Sequence, residues 1–238
     1  MANTVVSRGQ CNYCGKEYAG SGMSRHLQAC QARQEVIRAK ESSSGRKHKL
    51  YHLRVSGSYL PEYWMHIEIP AGSTLYDLDD FLRAVWLECC GHLSMFRIGE
   101  QRYVSFPLDV YDWNWDFPED KEMNAELGKV LEPGTEFGHE YDFGTTTYLK
   151  IRVIDLRRGT LNINNGIEIM ARNNAPDFRC EICEKTATRV CVMEEYRTMC
   201  AECGDEYGCA EYWLPIVNSP RVGECGYTGP AQAWDQTK

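Results

Sequence analysis

The sequence lacks long apolar runs and an apolar leader. No stretch of its 238 residues approaches the roughly 18 consecutive apolar residues that a membrane-spanning helix needs. The first ten residues, MANTVVSRGQ, lack the apolar centre of a secretory signal. Both absences predict a cytoplasmic protein with no membrane partner, and a hydrophobic content of 43% is enough to build a packed core.

Common catalytic motifs are missing as well. The sequence contains no G-x-S-x-G nucleophile motif and no G-x-x-x-x-G-K-[ST] phosphate-binding loop. His139 and Glu140 begin an H-E-x-x-H pattern, but Phe143 occupies the position of the second histidine. These absences favour a protein that is not an enzyme.

Positive charge is concentrated near the N-terminus. The net charge is −8, but residues 1–50 carry +6, which leaves −14 for the remainder. Residues 109–126 contain seven acidic side chains and a single basic one, Lys121. An acidic body repels polyanions, whereas a basic segment attracts them. We therefore expect any nucleic-acid contact within residues 1–50, and the acidic stretch with Trp113 and Trp115 is a candidate protein contact.

Cysteine is abundant, with twelve residues, and two clusters contain C-x-x-C pairs. In a reducing compartment this pattern indicates metal binding rather than disulfides. The first cluster has the spacing Cys11-x2-Cys14-x11-His26-x3-Cys30. His26 and Cys30 are four residues apart on a helix predicted to run to about Lys40, so they face the same side. The four donors predict a closed tetrahedral Zn²⁺ site, with Tyr18 and Leu27 as its small core.

The second cluster has the spacing Cys180-x2-Cys183-x16-Cys200-x2-Cys203, which is typical of four-cysteine zinc sites. Four thiolates favour Zn²⁺ over hard cations, so we expect two zinc ions per chain. The other cysteines are predicted to be small core residues, with a reactive thiol or a third site kept open for Cys209 and Cys225. These core predictions cover Cys89, Cys90, Cys191, Cys209 and Cys225.

The pattern of polar and apolar residues predicts an α+β fold with a mixed β-sheet and one main packed helix. Strands are predicted at 51–58, 63–69, 93–98, 101–106, 145–156 and 167–170, and a helix begins at Ser73 or Thr74. By analogy, the order is β-grasp-like. We divide the chain into a zinc finger (1–40), a basic linker (41–50), the α+β core (51–170) and a four-cysteine module with a Gly/Pro-rich tail (176–230).

Base-specific reading by the first cluster is not expected. Of the positions near its helix start that face DNA in sequence-reading fingers, only Arg25 has a side chain suited to a base. Non-specific phosphate contact is the better prediction, alongside the alternative of a solvated helix face that docks a protein. The predicted nucleic-acid contacts are Lys16, Arg25, Arg33, Arg46, Lys47 and Lys49, with Arg38 and Lys40 nearby.

Two segments carry a family resemblance. The run TLYDLDDFLRAVWLECCGHLSMFRIG, followed by HEYDFGTTTYLKIRV, resembles the plasmid pRiA4b ORF-three-like family, also described as transposon passenger proteins. The matching positions are His92, Leu93 and Phe96, then Tyr141, Asp142, Phe143 and Gly144. Thr145 stands where the family usually has an acid. The resemblance implies an α+β core and a link to mobile elements, and it implies no established reaction.

Three functions follow for testing. The leading hypothesis is a non-enzymatic, zinc-binding adaptor of a plasmid or mobile element that contacts nucleic acid or protein. The second is an enzyme with its site near His92 and Tyr141–Gly144. The third is a pure protein-interaction module. For His92 and Asp142 we prefer structural roles, with the imidazole at a helix end and the carboxylate capping a turn.

Overall fold

The computed structural model describes residues 6–41, 47–105, 120–161, 166–209 and 212–230. Its strands are β1 Arg8–Cys11, β2 Glu17–Ala19, β3 His48–Gly57, β4 Trp64–Pro70, β5 Ser94–Ile98, β6 Gln101–Val104, β7 Lys121–Glu122, β8 Glu136–Tyr141, β9 Thr147–Gly159, β10 Glu168–Asn173, β11 Arg189–Cys191, β12 Arg197–Met199 and β13 Trp213–Pro215. Its helices are α1 Gly20–Ala29, α2 Gln31–Glu41, α3 Leu75–Leu82, α4 Leu127–Val130 and α5 Ala201–Tyr207. A π-helical turn, Arg83–Leu87, continues α3.

One large sheet organises the described residues. Its strand order is β2-β1-β10-β4-β3-β9-β8-β5-β6-β7, and its pairs are antiparallel except for the parallel pair β6–β7. A second sheet, in the order β12-β11-β13, belongs to the C-terminal region. The predicted α+β class with a mixed sheet is therefore confirmed. No helix among the described residues has the length and apolar character needed to cross a membrane.

Helix α3 begins where the sequence predicted. The Asp77 amide donates to the Thr74 hydroxyl at 3.1 Å, and the Thr74 amide donates to the Asp77 carboxylate at 2.7 Å. This reciprocal capping box starts the helix. The apolar face of α3 and its π-helical extension is buried in the core, and this face comprises Leu75, Leu78, Phe81, Leu82, Val85 and Trp86. Burial of these six side chains holds α3 and its π-helical extension on the core.

A buried network of hydrogen bonds and ion pairs also connects α3 to the sheet. His139 of β8 lies 2.6 Å from Asp79 of α3, measured from Nε2 to Oδ1. Arg83 Nε donates to Asp79 Oδ2 at 2.7 Å, and the Ser94 hydroxyl donates to the same oxygen at 2.9 Å. The charges and hydrogen bonds of His139 and Arg83 outweigh the effect of burial and lower the pKa of Asp79. The network therefore ties the helix to β5 and β8 through an ionised carboxylate.

The N-terminal region differs from its prediction in two ways. The expected single helix is broken at Cys30, whose extended backbone (φ −67°, ψ 113°) separates α1 from α2. Cys30 Sγ lies 4.0 Å from Cys11 Sγ. In addition, β1 pairs with β10, so residues 8–19 extend the core sheet. The domain division stays a prediction, although His48–Leu50 of the predicted linker lie in β3 and residues 42–46 lie outside the described part.

Candidate metal centres and the family motif

The first cluster brings its four predicted donors together at the junction of β1 and α1. The Sγ atoms of Cys11 and Cys30 are 4.0 Å apart, and Cys14 Sγ lies 3.3 Å from His26 Nε2. All four donor atoms lie within 4.8 Å of one another. The ring of Tyr18 stacks on His26 with a centroid distance of 3.9 Å and so orients the imidazole. These four donor atoms could together hold one metal ion.

The core under this cluster is shared with the main sheet. Met23 and Leu27 of α1 pack with Trp64, Met170 and Ala171, and the Asn12 amide donates to the Met170 carbonyl at 2.9 Å. Burial raises the pKa of Cys11 to about 11, and burial also lowers the pKa of His26. The neutral imidazole is the form that binds metal, whereas the thiol must lose its proton on metal binding. A metal ion bound here would therefore displace a proton.

The second cluster lies at the base of the β11–β12 hairpin. Cys183 Sγ and Cys200 Sγ are 3.7 Å apart, and the donors of Cys180 and Cys203 complete a group within 4.8 Å. Backbone hydrogen bonding, chiefly from Cys200, lowers the pKa of Cys180 to about 6. Hydrogen bonds with the neighbouring thiols raise the pKa of Cys203. Four thiols this close favour a bound cation, because it replaces the shared protons.

A third cluster was missed by the sequence reasoning. Cys89, Cys90, His92 and Cys225 also place their donor atoms within 4.8 Å of one another. The prediction that these cysteines are core residues is wrong for Cys90 and Cys225, which are exposed, and Cys89 is only partly buried. The prediction failed because Cys225 is 133 residues from His92 and the fold alone joins them. The spacing Cys89-Cys90-x-His92 was the signal available in the sequence.

Two cysteines lie outside the three clusters. Cys191 and Cys209 are joined by a disulfide. Both are buried, as predicted, but the pairing was not foreseen. It links β11 to the residue just beyond the C-terminal end of α5, and so it braces the module that holds the second cluster.

His92 of the family motif belongs to the third cluster, and Tyr141 and Asp142 lie beside it. Phe96 is buried against Phe137 and His139, and the buried Tyr141 hydroxyl donates to Glu88 Oε1 at 3.1 Å. Phe143, by contrast, is 41% exposed. The prediction that His92 lies at a helix end is wrong, because the π-helical turn ends at Leu87 and His92 lies just before β5. Its Nε2 lies 3.2 Å from Cys225 Sγ and 3.5 Å from Asp142 Oδ2.

Asp142 has the structural role that the sequence favoured. Its backbone is left-handed (φ 65°), and its carboxylate accepts from the Gly144 amide at 3.0 Å and the Thr145 hydroxyl at 2.7 Å. Arg221, which is fully buried, donates to the same carboxylate at 2.6 Å. These three donors outweigh the effect of burial and hold the pKa of Asp142 well below its usual range. Thr145, which replaces the usual acid of the family, thus supports the turn.

The predicted phosphate contacts divide into three groups: four are exposed, one is buried, and one lies outside the described residues. Lys16, Arg25, Lys47 and Lys49 are exposed. Arg33 is a correction, because it is buried and pairs with Glu68 at 2.9 Å, with Arg157 on the other carboxylate oxygen. A guanidinium committed to a buried carboxylate does not face a phosphate backbone. Arg46, and most of the acidic stretch 109–126 with Trp113 and Trp115, lie outside the described residues.

Comparison with protein families completes the picture of the motif. The family of plasmid pRiA4b ORF-3-like proteins matches residues 49–211, about two thirds of the sequence. The chain belongs to this family. Both segments that carry the resemblance, and the first three residues of the third cluster, lie inside the match, whereas the first metal cluster lies outside it.

Two further comparisons add little about function. A crystal structure of a protein of unknown function from Methanosarcina mazei Go1 is similar over 52% of this chain and 67% of that chain, at 20% identity and a TM-score of 0.43. A search of curated proteins finds no match. These comparisons therefore assign no chemistry to this member of the pRiA4b ORF-3-like family.

Proposed function

We propose that this chain is a non-enzymatic, zinc-binding adaptor of a plasmid or other mobile element, and that its N-terminal region contacts nucleic acid. The observation that carries the proposal is a set of exposed cations on a segment that gathers four cysteine and histidine donors, in an otherwise acidic chain. Family membership supports the link to mobile elements. A cytoplasmic location is part of the same proposal.

Zinc is the proposed ion because the donors are soft. The first two clusters offer Cys₃His and Cys₄ sets, which select Zn²⁺ over hard cations. Four protein ligands leave no open coordination position for a reacting water, so each ion would be structural. A segment as short as residues 6–30 buries little apolar surface alone, and metal binding would supply part of its folding free energy.

Lys16 and Arg25 flank the first cluster and are the proposed phosphate contacts. Lys16 lies before β2, Arg25 lies on α1, and both are exposed. Each cation that neutralises a phosphate releases counterions, so the binding constant should fall with salt. Lys47 and Lys49 extend the proposed set toward the start of β3, whereas Arg33 is withdrawn from it.

The competing functions have weaker support. The proposed enzyme site near His92 and Tyr141–Gly144 has its carboxylate, Asp142, occupied by Arg221, Gly144 and Thr145. The protein-interaction proposal depends on the stretch 109–126, which lies mostly outside the described residues. A β-grasp relationship of the core is likewise kept as a proposal, motivated by hairpin β3–β4 followed by α3 and further strands.

The test is binding of fluorescent double-stranded DNA by the full-length, metal-loaded protein at several salt concentrations. The expected result is binding that weakens with salt. In the double variant Lys16→Glu/Arg25→Glu, the slope of log K against log salt should become shallower by about 1.8, because each lost phosphate contact contributes about 0.9. Lys129→Glu, at a position that is 70% exposed on α4, is the matched control and should bind as wild type does.

Two results would remove the nucleic-acid half of the proposal. One is absence of binding at low salt. The other is equal binding by the wild type and the Lys16→Glu/Arg25→Glu variant, provided that both bind the same amount of metal and have the same circular dichroism. The metal-binding half of the proposal is tested separately, by measuring the metal content of the purified protein.

A further inference from the structure

The third cluster unites residues from two distant parts of the chain. Cys89 and Cys90 follow the π-helical turn after α3, His92 lies just before β5, and Cys225 lies in the C-terminal turn Gly223–Gly226. Cys90 Sγ is 3.6 Å from Cys89 Sγ and 3.7 Å from Cys225 Sγ. His92 Nε2 is 2.9 Å from Cys90 Sγ and 3.2 Å from Cys225 Sγ.

From this geometry we propose a third metal site in this chain, in which Cys89, Cys90, His92 and Cys225 bind one Zn²⁺. In a tetrahedral site with zinc–sulfur bonds of about 2.3 Å, two sulfur ligands are about 3.8 Å apart. The sulfur separations of 3.6 and 3.7 Å agree with that value. They also agree with the 3.7 Å between Cys183 and Cys200 of the second cluster. Three thiolates and an imidazole are soft and borderline donors that suit zinc.

The surrounding groups hold the ligand loop in place. The Gly91 amide, in a left-handed residue (φ 76°), donates to Glu88 Oε1 at 2.6 Å. Arg83 Nη2 donates to the His92 carbonyl at 2.6 Å. Gly91 therefore lets the chain reverse between Cys90 and His92, and both residues face Cys225. Ligand-bearing loops supported by such outer hydrogen bonds are typical of metal sites.

Charge in the neighbourhood also suits a zinc–thiolate centre. Three thiolates and one Zn²⁺ carry a net charge of −1, which is costly near a buried carboxylate. Arg221 is fully buried beside the cluster, with Nη2 3.5 Å from Cys89 Sγ and 2.6 Å from Asp142 Oδ2. One guanidinium thereby faces both the carboxylate and the thiolate, and it offsets part of their combined negative charge.

Cys225 itself has a left-handed backbone conformation. Its φ of 45° is uncommon for a residue other than glycine, asparagine or aspartate. Gly223 and Gly226 on either side are also left-handed. The turn presents the exposed Cys225 thiol to the other three donors, and a metal bond would compensate for the local strain. The site would then clamp the C-terminal segment to the core, with a ligand separation of 133 residues.

The test counts metal ions on the full-length protein, purified with a phosphine reductant and analysed by native mass spectrometry after zinc loading. The expected stoichiometry is three zinc ions for the wild type and two for Cys225→Ser. Cys90→Ser, at an exposed position, should also bind two, so the count does not depend on one substitution. Glu224→Gln is the matched control, because it changes the neighbouring, partly exposed side chain without removing a donor, and it should bind three.

Cobalt(II) substitution supplies an independent readout. The wild type should bind three equivalents with thiolate-to-cobalt absorption, and Cys225→Ser should lose the third equivalent. The proposal is overturned if the wild type binds no more ions than Cys225→Ser and Cys90→Ser do. It is also overturned if both cysteine variants retain three, or if peptide mapping finds a Cys90–Cys225 disulfide in place of the metal. These outcomes do not depend on whether the protein binds DNA.

Discussion

The ion pair between Asp142 and Arg221 offers a quantitative test of the fold, because it connects the family motif to the C-terminal segment. Arg221 is fully buried and Asp142 nearly so, with 2.6 Å between Nη2 and Oδ2. Arg221 Nη1 also donates to the Thr145 carbonyl and the Thr147 hydroxyl, each at 3.0 Å. The perturbation is Arg221→Met, which keeps an unbranched apolar side chain and removes the charge.

Removing one partner of a buried ion pair costs about 3–5 kcal/mol, since the remaining charge is left without compensation. Asp142 would keep its donors from Gly144 and Thr145, so the loss should lie near the lower end, about 3 kcal/mol. Asp142→Asn is the partner variant, because asparagine tolerates the left-handed backbone at this position. In the double variant neither charge is stranded, and the coupling free energy should be about 2 kcal/mol.

The assay is urea unfolding followed by circular dichroism, with the double-mutant cycle evaluated at constant metal content. Lys185→Met is the matched control, because Lys185 pairs with Glu202 at 2.7 Å on the surface and both side chains are more than 60% exposed. Its unfolding midpoint should equal that of the wild type. Additive single effects, or an Arg221→Met midpoint equal to that of the control, would refute the reasoning.

Two further predictions concern stability. Asp79 has a lowered pKa in the folded protein, so its contribution is present above the unfolded pKa of about 3.9 and is lost as pH falls through the folded pKa. Asp79→Asn should therefore be less stable than the wild type at pH 7, and the difference should shrink below about pH 5 in urea titrations; a constant difference contradicts this. Gly9→Ala should destabilise by more than 1 kcal/mol, roughly, because the new Cβ would lie 2.6 Å from the Trp64 ring and closer still to the Arg172 carbonyl oxygen. Gly22→Ala, in open space on α1, should instead stabilise by about 0.5–1 kcal/mol in thermal unfolding; equal effects of the two substitutions would be the contrary result.

Local signals predicted most elements of the core, although strand β8 was not predicted. The capping pair Thr74 and Asp77 and the periodic apolar face of α3 are encoded within a dozen residues, and the structure has both. The hairpin β5–β6 turns at Gly99, whose φ of 58° explains the glycine. The first two cysteine clusters were readable for the same reason, since close spacing within each pair fixes half of the ligand set.

These local signals could not predict contacts between residues that are far apart in the sequence. Nothing near Cys11 indicates that β1 pairs with β10 across more than 150 residues, or that Cys225 joins Cys89, Cys90 and His92. Arg33 was misassigned for a related reason. A basic residue on a helix is usually exposed to solvent, and only the tertiary structure shows that Arg33 is buried in an ion pair with Glu68.

The pairing of β1 with β10 has a consequence for the life of the protein in the cell. One edge of strand β10 is paired with β1. Strand β1 belongs to the N-terminal segment that carries the first cluster, the proposed site of the first zinc ion. If zinc scarcity released that segment, the hydrogen-bonding groups of β10 would become a free template for strand addition from another chain. At low zinc concentration the protein would then first self-associate through β10, while the rest of the sheet remained folded.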